Sequence, residues 1–255
     1  MNRILLGLSL MIVWSARAQT PGITFQSGPE QTALLELYTS EGCSSCPPAE
    51  AWLTRLTRSP RLWKEFVPLA FHVDYWDYLG WRDRWSAKTF SDRQRAHARR
   101  WGSGRIYTPG FVLIGQEWRN WSERMEGPPT GRKPSGVLTI NSADTNRWAV
   151  SFAPATPATG KYEVHAALLA GGLTSSVTAG ENQGRQLEHD FVVLTLAHAS
   201  LTHEDGTIKG TFNLDAPRKG LPSSHAVGVW ITHAGELEPL QATGGWLTRK
   251  NAATH

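Results

Sequence analysis

Apolar residues fall into two textures along the chain. In the first half they form dense runs: residues 32–38 and 67–74 are nearly all apolar, the pattern of strands buried on both faces. Between them, Ala49, Trp52, Leu53, Leu56 and Leu62 approach i, i+3, i+4, i+7 spacing. This predicts an amphipathic helix over 48–63, ended or bent at Ser59-Pro60. A second helix is predicted over 90–101, with Ser91 or Asp92 as cap and Gly102 near its end. From residue 137 the texture changes to short alternating runs at 137–140, 148–152, 162–168, 191–196, 207–212 and 227–232, separated by Gly, Pro, Asn and Asp. Those runs predict antiparallel strands of a sandwich or barrel. The breaker-rich segment 127–136 divides the two textures. The expected organisation is an α/β unit over 19–126, a linker over 127–136, a mostly antiparallel, β-sandwich-like unit over 137–248 and a tail over 249–255.

Residues 1–18 stand apart. Arg3, an apolar run from Ile4 to Trp14, and Ala16-Arg17-Ala18 have the form of a cleaved secretory signal. The run is well short of the roughly 20 residues that a spanning helix needs, and no second long apolar run follows. The expectation is a secreted or periplasmic protein with no membrane span in its mature part, in a compartment that permits disulfides. The formal charge is +4; without Arg3 and Arg17, 24 basic residues face 22 acidic ones. That balance leaves no electrostatic footprint for nucleic acid. Residues 82–105 hold eight basic residues and two acids, which reads first as a solvated helix face and otherwise as a surface for an acidic partner.

The two cysteines, Cys43 and Cys46, stand in Gly42-Cys43-Ser44-Ser45-Cys46-Pro47-Pro48, between a predicted strand and a predicted helix. A pair this close gains little chain entropy by closing its loop, so its spacing points to redox or metal chemistry more than to a staple. The partial positive charge at a helix start favours a thiolate. Cys43 is the expected nucleophile and Cys46 the residue that resolves a mixed disulfide. Pro47 and Pro48 fit first-turn positions, which need no N–H. The Ser44 and Ser45 hydroxyls can donate to a Cys43 thiolate, whereas Glu41, if close, opposes it.

The stretch Glu36-Leu37-Tyr38-Thr39-Ser40-Glu41-Gly42-Cys43-Ser44-Ser45-Cys46-Pro47-Pro48-Ala49 combines with His72-Val73-Asp74-Tyr75-Trp76-Asp77-Tyr78-Leu79-Gly80-Trp81 and Tyr107-Thr108-Pro109. Together they resemble a family of bacterial secreted proteins of unknown function with a thioredoxin-like domain. The stretch from Gly180 to Asp190 is similar to that family's second-half motif, so the resemblance covers most of the mature chain. It implies an α/β thioredoxin-like first unit, Cys43 and Cys46 as the redox pair, and Thr108-Pro109 as a cis-proline loop facing them. It further implies a thiol–disulfide oxidoreductase with a protein or small thiol or disulfide substrate, a redox partner, and no cofactor beyond the disulfide. Two departures stand out. Glu36 lies one position further from the first cysteine than the buried acid of thioredoxin, and Ser44-Ser45 replaces Gly-Pro.

Other residues extend the candidate site. His72, on an apolar strand, suits a core position or a third ligand beside Cys43 and Cys46, a set that fits Cu(I) and makes copper binding or delivery the rival reading. Tyr75, Trp76, Tyr78 and Trp81 suit either a substrate platform or packing against the second unit. Asp74 and Asp77 read as loop caps before catalytic acids. Asn182-Gln183-Gly184 reads as a hairpin turn, and Glu181, Arg185, His189 and Asp190 around it as a charged interface or a cover over the cysteines. A third reading is an interaction module whose disulfide only pins the turn.

Overall fold

The computed structural model describes residues 22–129, 133–142, 146–217 and 220–249. The signal segment 1–18, linker positions 130–132 and the tail beyond residue 249 lie outside the described residues. In chain order the strands and helices are β1 (Ile23–Gln26), β2 (Ala33–Thr39), α1 (Pro47–Arg55), β3 (Phe66–His72), α2 (Lys88–Arg100), β4 (Gly110–Leu113) and β5 (Gln116–Glu117). They continue with β6 (Gly136–Ser142), β7 (Arg147–Pro154), β8 (Tyr162–Gly171), β9 (Leu173–Ser176), β10 (Gln186–His189), β11 (Val192–Glu204), β12 (Thr207–Asn213), β13 (Ser224–His233) and β14 (Gln241–Thr248).

The dense apolar runs form a parallel pair, β2 and β3, with Leu37 opposite Ala70. Both strands are buried along their whole length, as their composition requires. Residue parity sorts β2 between two faces. Leu35 and Leu37 pack with Trp52 and Leu53 of α1, whereas Leu34 and Tyr38 pack with Phe71 and with Phe90 of α2. Helix α1 ends earlier than its apolar spacing predicts, passing through a short 3-10 turn to an extended Ser59 ahead of Pro60. Helix α2 starts earlier than predicted, after Ala87, because the Ser91 hydroxyl is engaged with Asp74 and does not cap.

The expected α/β thioredoxin-like unit followed by a sandwich is overturned by the sheet. Twelve strands form one mixed sheet, the fold is predominantly β, and there are two α-helices among the described residues. The joint is β11, thirteen residues long. Its start lies parallel to β3, with Val192 opposite Ala70; most of its length pairs with β8, and its last three residues pair with β12. The physical reason is that β8 and β13 bury both faces. Val164, Ala166 and Leu168 of β8 and Val227, Val229 and Ile231 of β13 enter a core with Leu138, Trp148 and Phe152. The intervening Ala167, Leu169, Ala226 and Trp230 enter the core of Leu34, Tyr38 and Phe71. No helix among the described residues is long and apolar enough to cross a membrane.

Gln241 ties the edge of this sheet to the N-terminal segment. Its buried amide oxygen accepts from the N–H groups of Thr32 (2.7 Å) and Ala242 (3.0 Å), and its NH2 group faces the carbonyls of Gly28, Glu30 and Gly136. An apolar isostere strands several buried backbone groups at once. Gln241→Met is expected to cost about 3 kcal/mol, read as a lowered urea midpoint at unchanged slope.

Candidate functional site

The cysteines sit where strand β2 gives way to helix α1, and they are joined: Cys43 and Cys46 form a disulfide with Cα atoms 5.4 Å apart. Cys46 is the N-cap of α1, and Pro47 and Pro48 occupy the first turn. The prolines remove two of the N–H groups expected to face the sulfurs, and the next, on Ala49, donates to the Cys46 carbonyl. The helix dipole remains, and the polar contact to sulfur comes from a side chain: Ser45 Oγ lies 3.4 Å from Cys43 Sγ. Ser44 and Ser45 are exposed, but both cysteines are fully buried.

The cover is the turn between β9 and β10. Asn182 Nδ2 donates to the carbonyls of Glu41 (2.8 Å) and Cys43 (2.9 Å), and the Ser44 N–H donates to Glu181 Oε2 (3.1 Å). Arg185 braces the turn by donating to Asn182 Oδ1. Gly180, in the left-handed region at φ 75°, leaves room for the aromatic loop, since a Cβ there would lie 3.2 Å from that of Trp81. Asp190, the last of the interface candidates, accepts instead from the Gly172 N–H at the start of the hairpin.

The aromatic loop divides its labour. Trp76 packs on Gly42 and donates to Thr108 Oγ1 at 2.8 Å, tying the cysteine turn to the Thr108-Pro109 peptide, which is cis. Trp81 donates to Glu41 Oε2 at 2.7 Å. Tyr75 reaches Gln94 of α2, and Tyr78 is 80% exposed and takes no part. Asp74 and Asp77 hold the loop, accepting from Ser91 and from Ser86 and the Asp83 N–H.

Under the turn lies a buried group of three carboxylates and two imidazoles, on the α1 side of the sheet. His72 Nδ1 is 2.6 Å from Asp83 Oδ2, which also accepts the Glu41 N–H. His189 lies between two acids, with Nδ1 on Glu50 Oε2 and Nε2 3.2 Å from Glu41 Oε1. Thr39 donates to Glu50 Oε1 at 2.5 Å. Burial pulls the His189 imidazole down, but hydrogen bonding and the charges of Glu41 and Glu50 outweigh it and push its pKa up to about 10. Burial likewise opposes, and the Asp83 carboxylate overcomes, a rise at His72. Glu41 and Asp83 are held below the usual carboxylate range against burial, by His189 and His72 respectively.

Glu36 belongs elsewhere. Even-numbered β2 residues face α2, so Glu36 meets Arg93 in a bidentate pair at 2.7 and 2.8 Å and accepts from Tyr38 at 2.7 Å. The carboxylate that joins the group under the cysteine turn is instead Glu50, held by His189 and Thr39. Its signal was available, since Cys46 and Glu50 are four apart on one helix and share a face. Asp83 and Thr39 carried no such signal. The Cu(I) set of Cys43, Cys46 and His72 requires free thiolates, and here the sulfurs are bonded to each other. The side chains whose ligand atoms converge are Glu50, His72 and His189, all within 4.8 Å of one another.

A family described as "Protein of unknown function (DUF1223)" matches residues 34–232. No curated protein matches the chain. Two crystallised or otherwise solved proteins share the fold. Protein AGR_C_4864 from Agrobacterium tumefaciens is 22% identical, with 89% of this chain and 98% of that one covered at a TM-score of 0.55. HBP35 of Porphyromonas gingivalis is 13% identical, with 90% and 81% covered at 0.54.

Proposed function

The chain belongs to that family of unknown function, and from this premise we propose that it is an exported thiol–disulfide oxidoreductase working through Cys43 and Cys46. The observation that carries the reading is the disulfide itself, closed across the turn that leads into α1 and linked through Trp76 to a cis Thr108-Pro109 peptide. A structural staple needs neither the helix start nor the proline loop. The fold around this turn is the twelve-stranded sheet, and the proposal rests on the turn's own chemistry.

In the oxidising direction a substrate thiolate attacks Cys43 Sγ. The Cys43–Cys46 bond breaks, and Cys46 leaves with the electron pair and takes a proton. The substrate's second thiolate then attacks its own sulfur in the mixed disulfide, forming the substrate disulfide and releasing Cys43 as thiolate. The substrate loses two electrons and the protein gains them; reduction of a substrate disulfide runs the same steps backwards. Because the cysteines are covered, exchange needs the Asn182 turn to lift. Asn182→Ala, which removes two hydrogen bonds of the cover, is expected to speed reduction of the disulfide by dithiothreitol about tenfold.

Ser45 sets the poise. A hydroxyl donating to the Cys43 thiolate stabilises the reduced form and raises the reduction potential, so Ser45→Ala lowers it by about 30 mV, the equivalent of one hydrogen bond to a charged group. The proposal itself is tested by trapping. Cys46→Ala should accumulate a mixed disulfide through Cys43 with a disulfide substrate, the Cys43 thiolate displacing the substrate's other sulfur as thiolate, and failure to trap, with no exchange activity in the wild type, removes the reading.

A further inference from the structure

We propose that Glu50, His72 and His189 form a binding site for a divalent transition-metal ion, zinc being the model case, one helical turn below Cys46. The inference is independent of the redox reading, because it uses neither sulfur.

Three observations carry it. First, the ligand atoms of these three buried residues already lie within 4.8 Å of one another, and two imidazoles with one carboxylate are a common set for zinc and its neighbours. Secondly, His72 is 1% exposed and its Nε2 is buried with no hydrogen-bond partner, although its Nδ1 is held by Asp83. A carboxylate on the far nitrogen is how metal-binding histidines are oriented, since it fixes the tautomer and turns the other nitrogen to the metal. His189 holds its Nδ1 directly against Glu50 Oε2, so the two side chains already face each other, with Glu41 Oε1 3.2 Å from Nε2. Thirdly, the carboxylates of Glu41, Glu50 and Asp83 are ion-paired to imidazoles and to no arginine or lysine among the described residues. This buried group thus holds three acids against two imidazoles, a surplus of acid that suits a divalent cation. A surface cavity of about 380 Å³ lined by Pro47, Glu50, Thr54 and Leu187 reaches Glu50 from the solvent side.

The test is calorimetric titration of the full chain, stripped with chelator and kept oxidised, with Zn2+ alone. One ion per chain is expected, with the disulfide intact before and after. His72→Gln and His189→Gln should each weaken uptake at least about tenfold, as loss of a ligand does, and Cys43→Ser/Cys46→Ser should leave it unchanged. A parallel Co2+ titration of the wild type covers the case in which a histidine variant fails to fold. Visible d–d bands without a sulfur-to-cobalt charge-transfer band support the site. No stoichiometric uptake by the oxidised wild type, uptake undiminished in both histidine variants, or a sulfur-to-cobalt band overturns it. None of these results alters the trapping experiment, so the two proposals fail separately.

Discussion

On the proposed reading, replacing Cys43 by serine is expected to abolish thiol–disulfide exchange, a loss of at least about three orders of magnitude, while Cys46→Ala should retain the attack of Cys43 on a disulfide substrate. The asymmetry follows from position. Cys43 lies beside the exposed Ser45 hydroxyl, while Cys46 is the N-cap of α1 and its carbonyl takes two helical N–H bonds. An incoming thiolate therefore meets Cys43 first, and Cys46 serves as leaving group. The measurement is single-turnover exchange of the reduced proteins with a fluorescent disulfide, read beside the mass of the trapped adduct. If both single variants lose exchange equally and neither forms an adduct, the assigned order of attack is wrong.

The second large effect lies away from the cysteines. Arg93→Met is expected to destabilise the protein by about 3–5 kcal/mol, because it leaves the fully buried Glu36 carboxylate without its bidentate partner. The guanidinium also packs over the Phe71 and Trp230 rings, 5.6 and 5.2 Å from their centroids, so packing is lost with the charge. Burial alone would raise the Glu36 pKa; Arg93 and His97 outweigh it and hold it well below the usual range. A carboxyl depressed in the folded state stabilises above its unfolded pKa of about 4.5 and loses that contribution as the pH falls below it. Wild-type stability should therefore decline below about pH 4.5. In Arg93→Met this acid limb flattens, because burial is then unopposed by the guanidinium. Denaturant melts at a series of pH values check both points, and Glu36→Leu/Arg93→Leu should recover part of the loss that Arg93→Leu suffers alone.

Much of this was legible in the sequence, for identifiable reasons. The dense runs at 32–38 and 67–74 read as doubly buried strands because parallel neighbours leave them no polar face. The start of α1 read correctly because prolines at its first positions and a strand just before it admit few alternatives. Strand β14 was invisible because Gly244 and Gly245 argue against a strand, yet both are needed there. A Cβ on Gly244 would meet the Val227 carbonyl at 2.3 Å, and one on Gly245 the Phe25 ring at 2.1 Å. The single sheet was missed because alternation in β8 and β13 was read as one buried face, when alternate residues serve two cores.

The site divides in the same way. Local spacing carried the cysteine pair, and the family resemblance carried the cis Thr108-Pro109 peptide. The turn over the cysteines and the group beneath them join residues more than a hundred positions apart, Asn182 with Glu41 and His189 with Glu50, and no local pattern encodes such meetings. Burial of the cysteines follows from the same long-range contact; the charged residues around Asn182 allowed a cover over the cysteines as one of two readings, but not its hydrogen bonds.

The central claim is that Cys43 and Cys46 cycle. The most direct measurement is equilibrium titration of the pair in thiol–disulfide buffers, followed by thiol alkylation and mass. The account predicts one reversible two-electron transition at a potential between about −120 and −270 mV, the span of working thiol oxidoreductases. A bond that stays closed until below about −300 mV, as structural disulfides do, would contradict it.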